Sequence, residues 1–438
     1  VAGSQTNWGV LLDLSGPGPK HEQLARALRR AIRGLDDGVS VPPSRQLAAD
    51  LGCSRWVVTQ AYAQLVAEGY LDGRAGSATR VRRVGDAVTA KPPALPAPPR
   101  YDLAPGLPDL RHFPRQRWAD AVRGVLATVP HTDFGLPDRD GHPRLRKTLA
   151  GYLRRVRGAE TDDVVICGGV TDGVTRVCRA LQANGVTRLA VEDPGWTRLR
   201  RAAAATGMAI DPVPVDDEGV DVGRIPRGTR AVLVTPAHQF PTGSVLSPRR
   251  RAELLAWARE VDGLILEDDY DAEFRYDRRP VGTVQGTDPG RVALFGSVSK
   301  TLSPALGLGW VALPPQWTLP GHAPPVVDQL ALAGFVDSGG YDRHLRAARL
   351  RYRARRDRLV EALGPGRLSG VAAGLHLLLH LDRDAAEVTK RARAKGVKVA
   401  DLDDYREAPG EPALVLGYGN LADNAVGDAV RLLREAAG

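Results

Sequence analysis

"RVALFGSVSKTLSPALGLGW", residues 291–310, begins as an apolar, β-branched run and breaks into a polar turn holding one lysine. A short run that is apolar at successive positions and followed by glycine or a polar turn is the pattern of a strand buried on both faces, as in a parallel sheet. Four further runs share it: "DDVVICGG" (162–169), "RLAVEDPG" (188–195), "RAVLVTPA" (230–237) and "GLILEDDY" (263–270). The segments between them are long enough for crossover helices. From Tyr101 onward the chain is therefore expected to be an α/β domain, with ligands bound where strand carboxyl ends meet loops. Lys300 stands at such an end.

The other strand ends carry groups that a pyridoxal phosphate site requires. Its aldehyde needs a lysine amine, and Lys300 offers one. The ring nitrogen needs a carboxylate, and the phenolic oxygen a hydroxyl donor; Asp268 and Tyr270 close the run "LILEDDY". The ring face wants a flat partner, and Trp196 follows "VEDPG". The phosphate needs backbone N–H groups at a helix start, which Gly168, Gly169, Val170 and Thr171 supply, with the Ser297 hydroxyl beside them. Taken singly, each has an ordinary reading: a solvated lysine, an acidic turn, a core tryptophan, glycines in a tight connection. Falling in order on strand ends, they point to one site.

Segment 84–100, "VGDAVTAKPPALPAPPR", is rich in proline and alanine, without apolar periodicity. Such a stretch is an extended, semi-stiff linker. It divides residues 1–83 from a much larger piece, 101–438. In the smaller piece, "KHEQLARALRRAIRGL" sets Leu24, Leu28, Ile32 and Leu35 three or four apart, as an amphipathic helix does. "VPPSRQLAADLGCSRWVVTQAYAQLVAEGYL" follows, with Ser44 and Ser54 as expected N-caps and Gly52 as a stop. Leu47, Leu51, Val58, Ala61 and Leu65 are placed to pack inward. "LDGRAGSATRVRR" reads as two short strands around a turn. Helix, helix-turn-helix, hairpin is the order of a winged helix. Its second helix would present a first turn to bases and phosphates. Arg45, Ser54, Arg55 and Thr59 lie at or near helix starts, and Arg74, Arg80, Arg82 and Arg83 charge the hairpin and its exit. These arginines also suit a solvated small domain.

Bulk properties agree with this division. The 438 residues exceed one ordinary domain, and 43% apolar with 25% charged content is that of a globular protein. A net charge of +9, from 60 basic and 51 acidic side chains, permits a nucleic-acid partner. Cys53, Cys167 and Cys178 form no metal or disulfide pattern. No signal-peptide pattern opens the chain and no apolar run has the length of a membrane span, so the expected compartment is the cytoplasm.

Two resemblances follow from these motifs. "PPSRQLAADLGCSRWVVTQAYAQLVAEGYLDGRAGSATRV" resembles the DNA-binding domain of GntR-type regulators, in which a P-S-R start, an S-R-x-x-V recognition helix and an R-x-G wing recur; here the wing motif is Arg74 to Gly76. The spacer "GLDDGVSVPPSR" departs from the usual pattern. "GLPDLRHFP", "EDPGWTRLR", "TPAHQFPTG", "LEDDYDAEFRY", "GSVSKTLSPALGLGW" and "YDRHLRAARLRYRARRDRL" resemble consecutive blocks of the MocR subfamily. Its members join a GntR-type winged helix to a fold-type I aminotransferase-like domain. The resemblance implies Lys300 as Schiff-base lysine, Asp268 on the ring nitrogen and Tyr270 near the phenolic oxygen. It also implies Trp196 in the stacking position, and Ser297 with the Val170–Thr171 backbone on the phosphate. Two departures stand out. Gly307 replaces an arginine that would grip the phosphate, a charged contact of about 1.5–3 kcal/mol. Val415 lies where some relatives use arginine for an amino acid's carboxylate.

Three functions remain open from sequence. The first is a regulator that senses an amine or amino acid through pyridoxal 5'-phosphate on Lys300, bound as a homodimer to a double-stranded DNA operator. The second is an aminotransferase with an appended domain. The third is a regulator whose cleft holds no cofactor. The first is the expected one, with the aminotransferase-like domain used for sensing.

Overall fold

In the computed structural model, residues 12–32, 34–73, 78–82, 98–135, 137–276 and 281–438 are described. Arg74, Gly76, Arg83 and linker residues 84–97 lie outside them. The chain divides into two compact units, Val1–Pro96 and Ala97–Gly438.

The first unit contains helices α1 (Lys20–Ile32), α2 (Ser44–Asp50) and α3 (Arg55–Ala67), then strands β1 (Leu71–Asp72) and β2 (Arg80–Val81), paired antiparallel. Leu24, Leu28, Leu47, Val58, Ala61 and Leu65 form its core, and Leu51 packs against it half-buried. Each buried leucine contributes about 2 kcal/mol by the area it removes from water. This is a winged helix.

Three local details differ from the sequence pattern. Helix α1 ends at Ile32, so Leu35 reaches the core from the turn beyond it. Ser44 is the first helical residue of α2, the cap position belonging to Pro43 without a side-chain bond. Two consecutive prolines hold the chain extended up to that point, and the Ser44 hydroxyl accepts instead from Arg55 Nε at 3.3 Å. Ser54 does cap α3, its Oγ accepting from Val57 N at 3.4 Å.

In the second unit the five apolar runs become strands β4 (Val165–Cys167), β5 (Arg188–Asp193), β8 (Ala231–Val234), β9 (Leu264–Asp268) and β10 (Val292–Ser297). With β6 (Ala209–Asp216), β7 (Gly219–Val220) and β11 (Gly309–Ala312), the largest sheet among the described residues runs β4-β11-β10-β9-β8-β5-β6-β7. Neighbours from β10 to β6 pair in parallel, while β11 runs antiparallel to both β10 and β4. Every residue of β8, β9 and β10 is buried, as a sheet covered on both faces requires. Helices α6 (Val170–Ala183) and α7 (Thr197–Ala204) follow β4 and β5 directly. A smaller antiparallel sheet orders β12 (Leu368–Ser369), β13 (His376–His380), β16 (Ala413–Gly417) and β15 (Ala400–Asp401). Val415 sits in it, buried among apolar side chains. No helix among the described residues is long and apolar enough to cross a membrane.

Candidate functional site

The ends of β4, β5, β8, β9 and β10 open onto a cleft of about 400 Å³. Lys300, Asp268, Tyr270, Trp196, Ser297, Val170 and Thr171 all line it. Lys300 Nζ donates to Gly106 O at 2.6 Å and lies 5.3 Å from the centroid of the Trp196 ring. Burial holds its pKa below the ordinary lysine value, while Asp268 and Asp271 pull it back up. A depressed lysine keeps more of its amine neutral and nucleophilic. Gly106 makes this closeness possible. Its φ is +108°, and a Cβ there would stand 3.4 Å from Nζ and 3.3 Å from the Trp196 ring.

The alternation of strand β9 selects which acid faces the cleft. Glu267 points away and accepts the amides of Val284 and Gln285, each at 2.9 Å. Asp269, just past the strand, also points away, into a buried bidentate pair with Arg157 at 2.6 and 3.0 Å. Asp268 is left inward, 6% exposed, with Oδ1 buried and without a hydrogen-bond partner. Burial pushes its pKa up to about 8, against the pull of Lys300. A buried acceptor with no donor costs about 1–3 kcal/mol, and a guest carrying N–H⁺ at that depth would recover it.

Trp196 is braced from behind. It stacks on Tyr405 at 5.8 Å and 13°, and meets Phe240 edge-on at 4.6 Å. Around it the loop after β5 is tied to residues 404–407: Gly195 N donates to Tyr405 O at 2.9 Å, Thr197 Oγ1 to Asp404 O at 2.6 Å, and Arg200 pairs with Glu407 at 2.9 Å.

At the far end, Gly168 and Gly169 lead into α6. Gly169 has φ +112°, and a Cβ on the neighbouring Gly309 would sit 2.6 Å from its Cα, so two backbones meet here. The first-turn amides of Val170 and Thr171 have no helical acceptor and favour an anion. Asp172 in the same turn takes the Gly168 amide at 2.8 Å, its charge compensated by Arg176 at 2.6 Å. Ser297 is buried and its hydroxyl accepts from Ser299 N at 3.3 Å.

On the winged helix, Arg45, Ser54, Arg55 and Thr59 are exposed along one surface of α2 and α3. Thr59 Oγ1 donates back to Arg55 O at 2.9 Å. Arg82 is exposed, whereas Arg80 donates to Gly38 O at 2.9 Å and is partly committed to the fold. Trp56, between Arg55 and Val57, is 61% exposed and rests edge-on against His21 at 5.6 Å. The helix pattern does not single it out; the structure turns it to solvent beside the arginine.

Comparison with known proteins agrees with both halves. Residues 20–81 match the bacterial regulatory proteins of the gntR family, and residues 102–401 match aminotransferase class I and II. The probable rhizopine catabolism regulatory protein MocR of Rhizobium meliloti is 32% identical, over 98% of this chain and 95% of its own length. The chain belongs to the MocR-type regulators. A second MocR-type relative, the pyridoxine biosynthesis transcriptional regulator PdxR of Corynebacterium glutamicum, is 32% identical over 91% of each chain. Kynurenine aminotransferase of Pyrococcus horikoshii shares the fold, with TM-score 0.67 and 22% identity over 77% of this chain and 90% of that one. This MocR-type chain is thus a DNA-binding transcriptional regulator carrying an aminotransferase-like domain.

Several cleft residues of this MocR-type chain escape a reading by strand ends. Arg198 lies two positions past Trp196 and lines the cleft, and its side chain has no hydrogen bond or ion pair to another described residue. The block "EDPGWTRLR" holds it, but the ring draws the attention. Phe240 comes from the block "TPAHQFPTG", six positions past β8, and His376 from the smaller sheet, where a lone histidine carries no signal. Gly307 is not among the lining residues. Its φ is +57°, and a Cβ there would meet nothing within 4 Å. Among the described lining residues, Lys300 and Arg198 are the lysine and arginine.

Proposed function

We propose that this regulator senses a small amine or amino acid through pyridoxal 5'-phosphate held on Lys300. The observation that carries the reading is the partnerless, buried Asp268 Oδ1, in the same cleft as a depressed lysine and a braced indole. Bound there, the cofactor supplies an aldehyde that condenses with amines. Asp268 would hold the ring nitrogen, Trp196 the ring face, and Tyr270 the phenolic oxygen. Ser297 and the amides of Val170 and Thr171 would hold the phosphate, and Arg198 offers a charge for an anionic guest.

In this reading residues 1–83 bind the operator through Arg45, Ser54, Arg55 and Thr59, residues 84–100 link, and residues 101–438 sense. A cytoplasmic homodimer would present two winged helices to paired half-sites. Sensing requires the effector to prefer one arrangement of the dimer, with a coupling of about 1–3 kcal/mol.

A visible spectrum of the full chain, with and without added pyridoxal phosphate, tests the reading, together with borohydride trapping and peptide mapping to Lys300. Lys300→Ala should lose the covalent adduct entirely while operator binding persists. An unchanged spectrum in that variant, or no adduct in the parent, would reject it. A second reading, a cleft that takes no cofactor, is favoured by Gly307. If the cofactor binds but weakly, Gly307→Arg should tighten it by about tenfold or more. No gain, together with no adduct in the parent, would favour the second reading.

A further inference from the structure

Beside Tyr270, just outside the residues that line the cleft, lies a polar pair that the reading above does not use. His238 and Asp271 are 2% and 1% exposed. His238 Nδ1 lies 3.0 and 3.2 Å from the two carboxylate oxygens of Asp271, and 3.1 Å from the Tyr270 hydroxyl. The imidazole is hemmed in by the Tyr270 ring, stacked at 24°, and by His376 at 4.8 Å between centroids. The backbone makes room for the pair. A Cβ on Gly374 would collide with both His238 and Asp271, and φ +67° there suits glycine. Such construction around a buried pair outside the cleft lining is more than packing needs.

The hydrogen positions follow from the partners. Carboxylate oxygens only accept, so the hydrogen of His238 is on Nδ1. Nε2 is buried without a partner and is left bare. The Tyr270 oxygen then meets an N–H already present and accepts from it, which leaves its own hydrogen for Asp271 or for the cleft that Tyr270 lines. The bond from His238 occupies the Asp271 carboxylate and so favours the cleft. Without His238, Asp271 becomes the natural acceptor for that phenol hydrogen and turns it inward.

We propose that the Asp271–His238 pair positions the Tyr270 hydroxyl as a donor toward the cleft and thereby sets the proton affinity of the Lys300-bound cofactor. This rests on the pyridoxal phosphate reading. A donor at the cofactor's phenolic oxygen stabilises negative charge there. That oxygen then holds the proton on the neighbouring Lys300-bound nitrogen less firmly, and the proton leaves at lower pH. Loss of the donor raises the midpoint. The other titratable or charged groups acting on Tyr270, its histidine neighbours or Lys300 are Asp268, Glu192, Lys300, His376 and Arg198. All five remain in the variants below.

The experiment is a pH titration of the visible absorbance of the full chain loaded with pyridoxal phosphate. His238→Leu and Tyr270→Phe should each raise the midpoint by about one unit, a tenfold change in proton affinity, and H238L/Y270F should move it no further than Y270F alone. His238→Asn keeps an N–H at the position of Nδ1 and should titrate as the parent does. Should His238→Leu fail to fold, His238→Met, which also carries no N–H and leaves the Asp271 charge beside Lys300 in place, should still raise the midpoint. A parent-like midpoint in both His238→Leu and His238→Met overturns the proposal, as do additive shifts in the double variant or an unmoved Tyr270→Phe. A parent that takes up no pyridoxal phosphate is a different result, since it removes the cofactor reading itself.

Discussion

The winged helix and the cleft hold their candidate side chains in opposite ways. Arg45, Arg55 and Trp56 stand exposed with few partners, on a scaffold of seven- and thirteen-residue helices. Lys300 and Trp196 are each held by other groups, beside a glycine whose positive φ and crowded Cβ position bring the backbone close, and Asp268 is buried next to them. A DNA face meets a charged, hydrated polymer and gains from counterions released at exposed arginines. A cleft for a small ligand must be set before the ligand arrives, because its few contacts leave little free energy for rearrangement. Damage to the two should therefore look different.

The largest effect is expected on the braced side. Arg157→Ala leaves Asp269 buried without its cation, and such losses cost about 3–5 kcal/mol. Chemical denaturation of the second unit should report it, and a loss below about 1 kcal/mol would break the contrast drawn above. The buried acids make a related prediction for the cofactor-free protein. Asp268 is pushed up to about 8, and Glu192, Glu267 and Glu273 to about 7. A raised acid keeps its proton in the fold while the unfolded chain has lost it, so stability falls as pH rises from about 4 toward 8. Thermal melts at pH 5.5 and 8 should show the decline, and Asp268→Asn should shrink it.

On the exposed side, effects are smaller. Arg55→Ala should weaken operator binding about tenfold and flatten the salt dependence, read by anisotropy at several ionic strengths. Thermal stability should hardly move. Ser54→Ala removes the cap of α3 and should cost about 1 kcal/mol in the winged helix alone. A deficit larger than that of Arg157→Ala would invert the comparison.

The same contrast governs what the sequence discloses. Strands β4, β5, β8, β9 and β10 are legible because burial on both faces demands unbroken apolar runs. Asp268 and Lys300 are legible because they end those runs. Arg198 and His376 reach the cleft from a helix flank and from the smaller sheet, and only tertiary structure brings them there. Ser54 announces itself as a cap, while Ser44 carries the same signal but is displaced one position by the prolines before it. Trp56 carries no signal in the helix pattern, and only the structure shows it turned outward beside Arg55. The 307 position is the reverse case, where the residue is plain and its consequence is chemical.

The Trp196–Tyr405 stack joins chain segments more than two hundred residues apart in sequence, reinforced by hydrogen bonds and an ion pair on either side. Neither segment can withdraw without baring the indole to water. The aromatic wall is thus also a fastener: whatever loosens the loop at 404–407 slackens the floor on which a guest would lie.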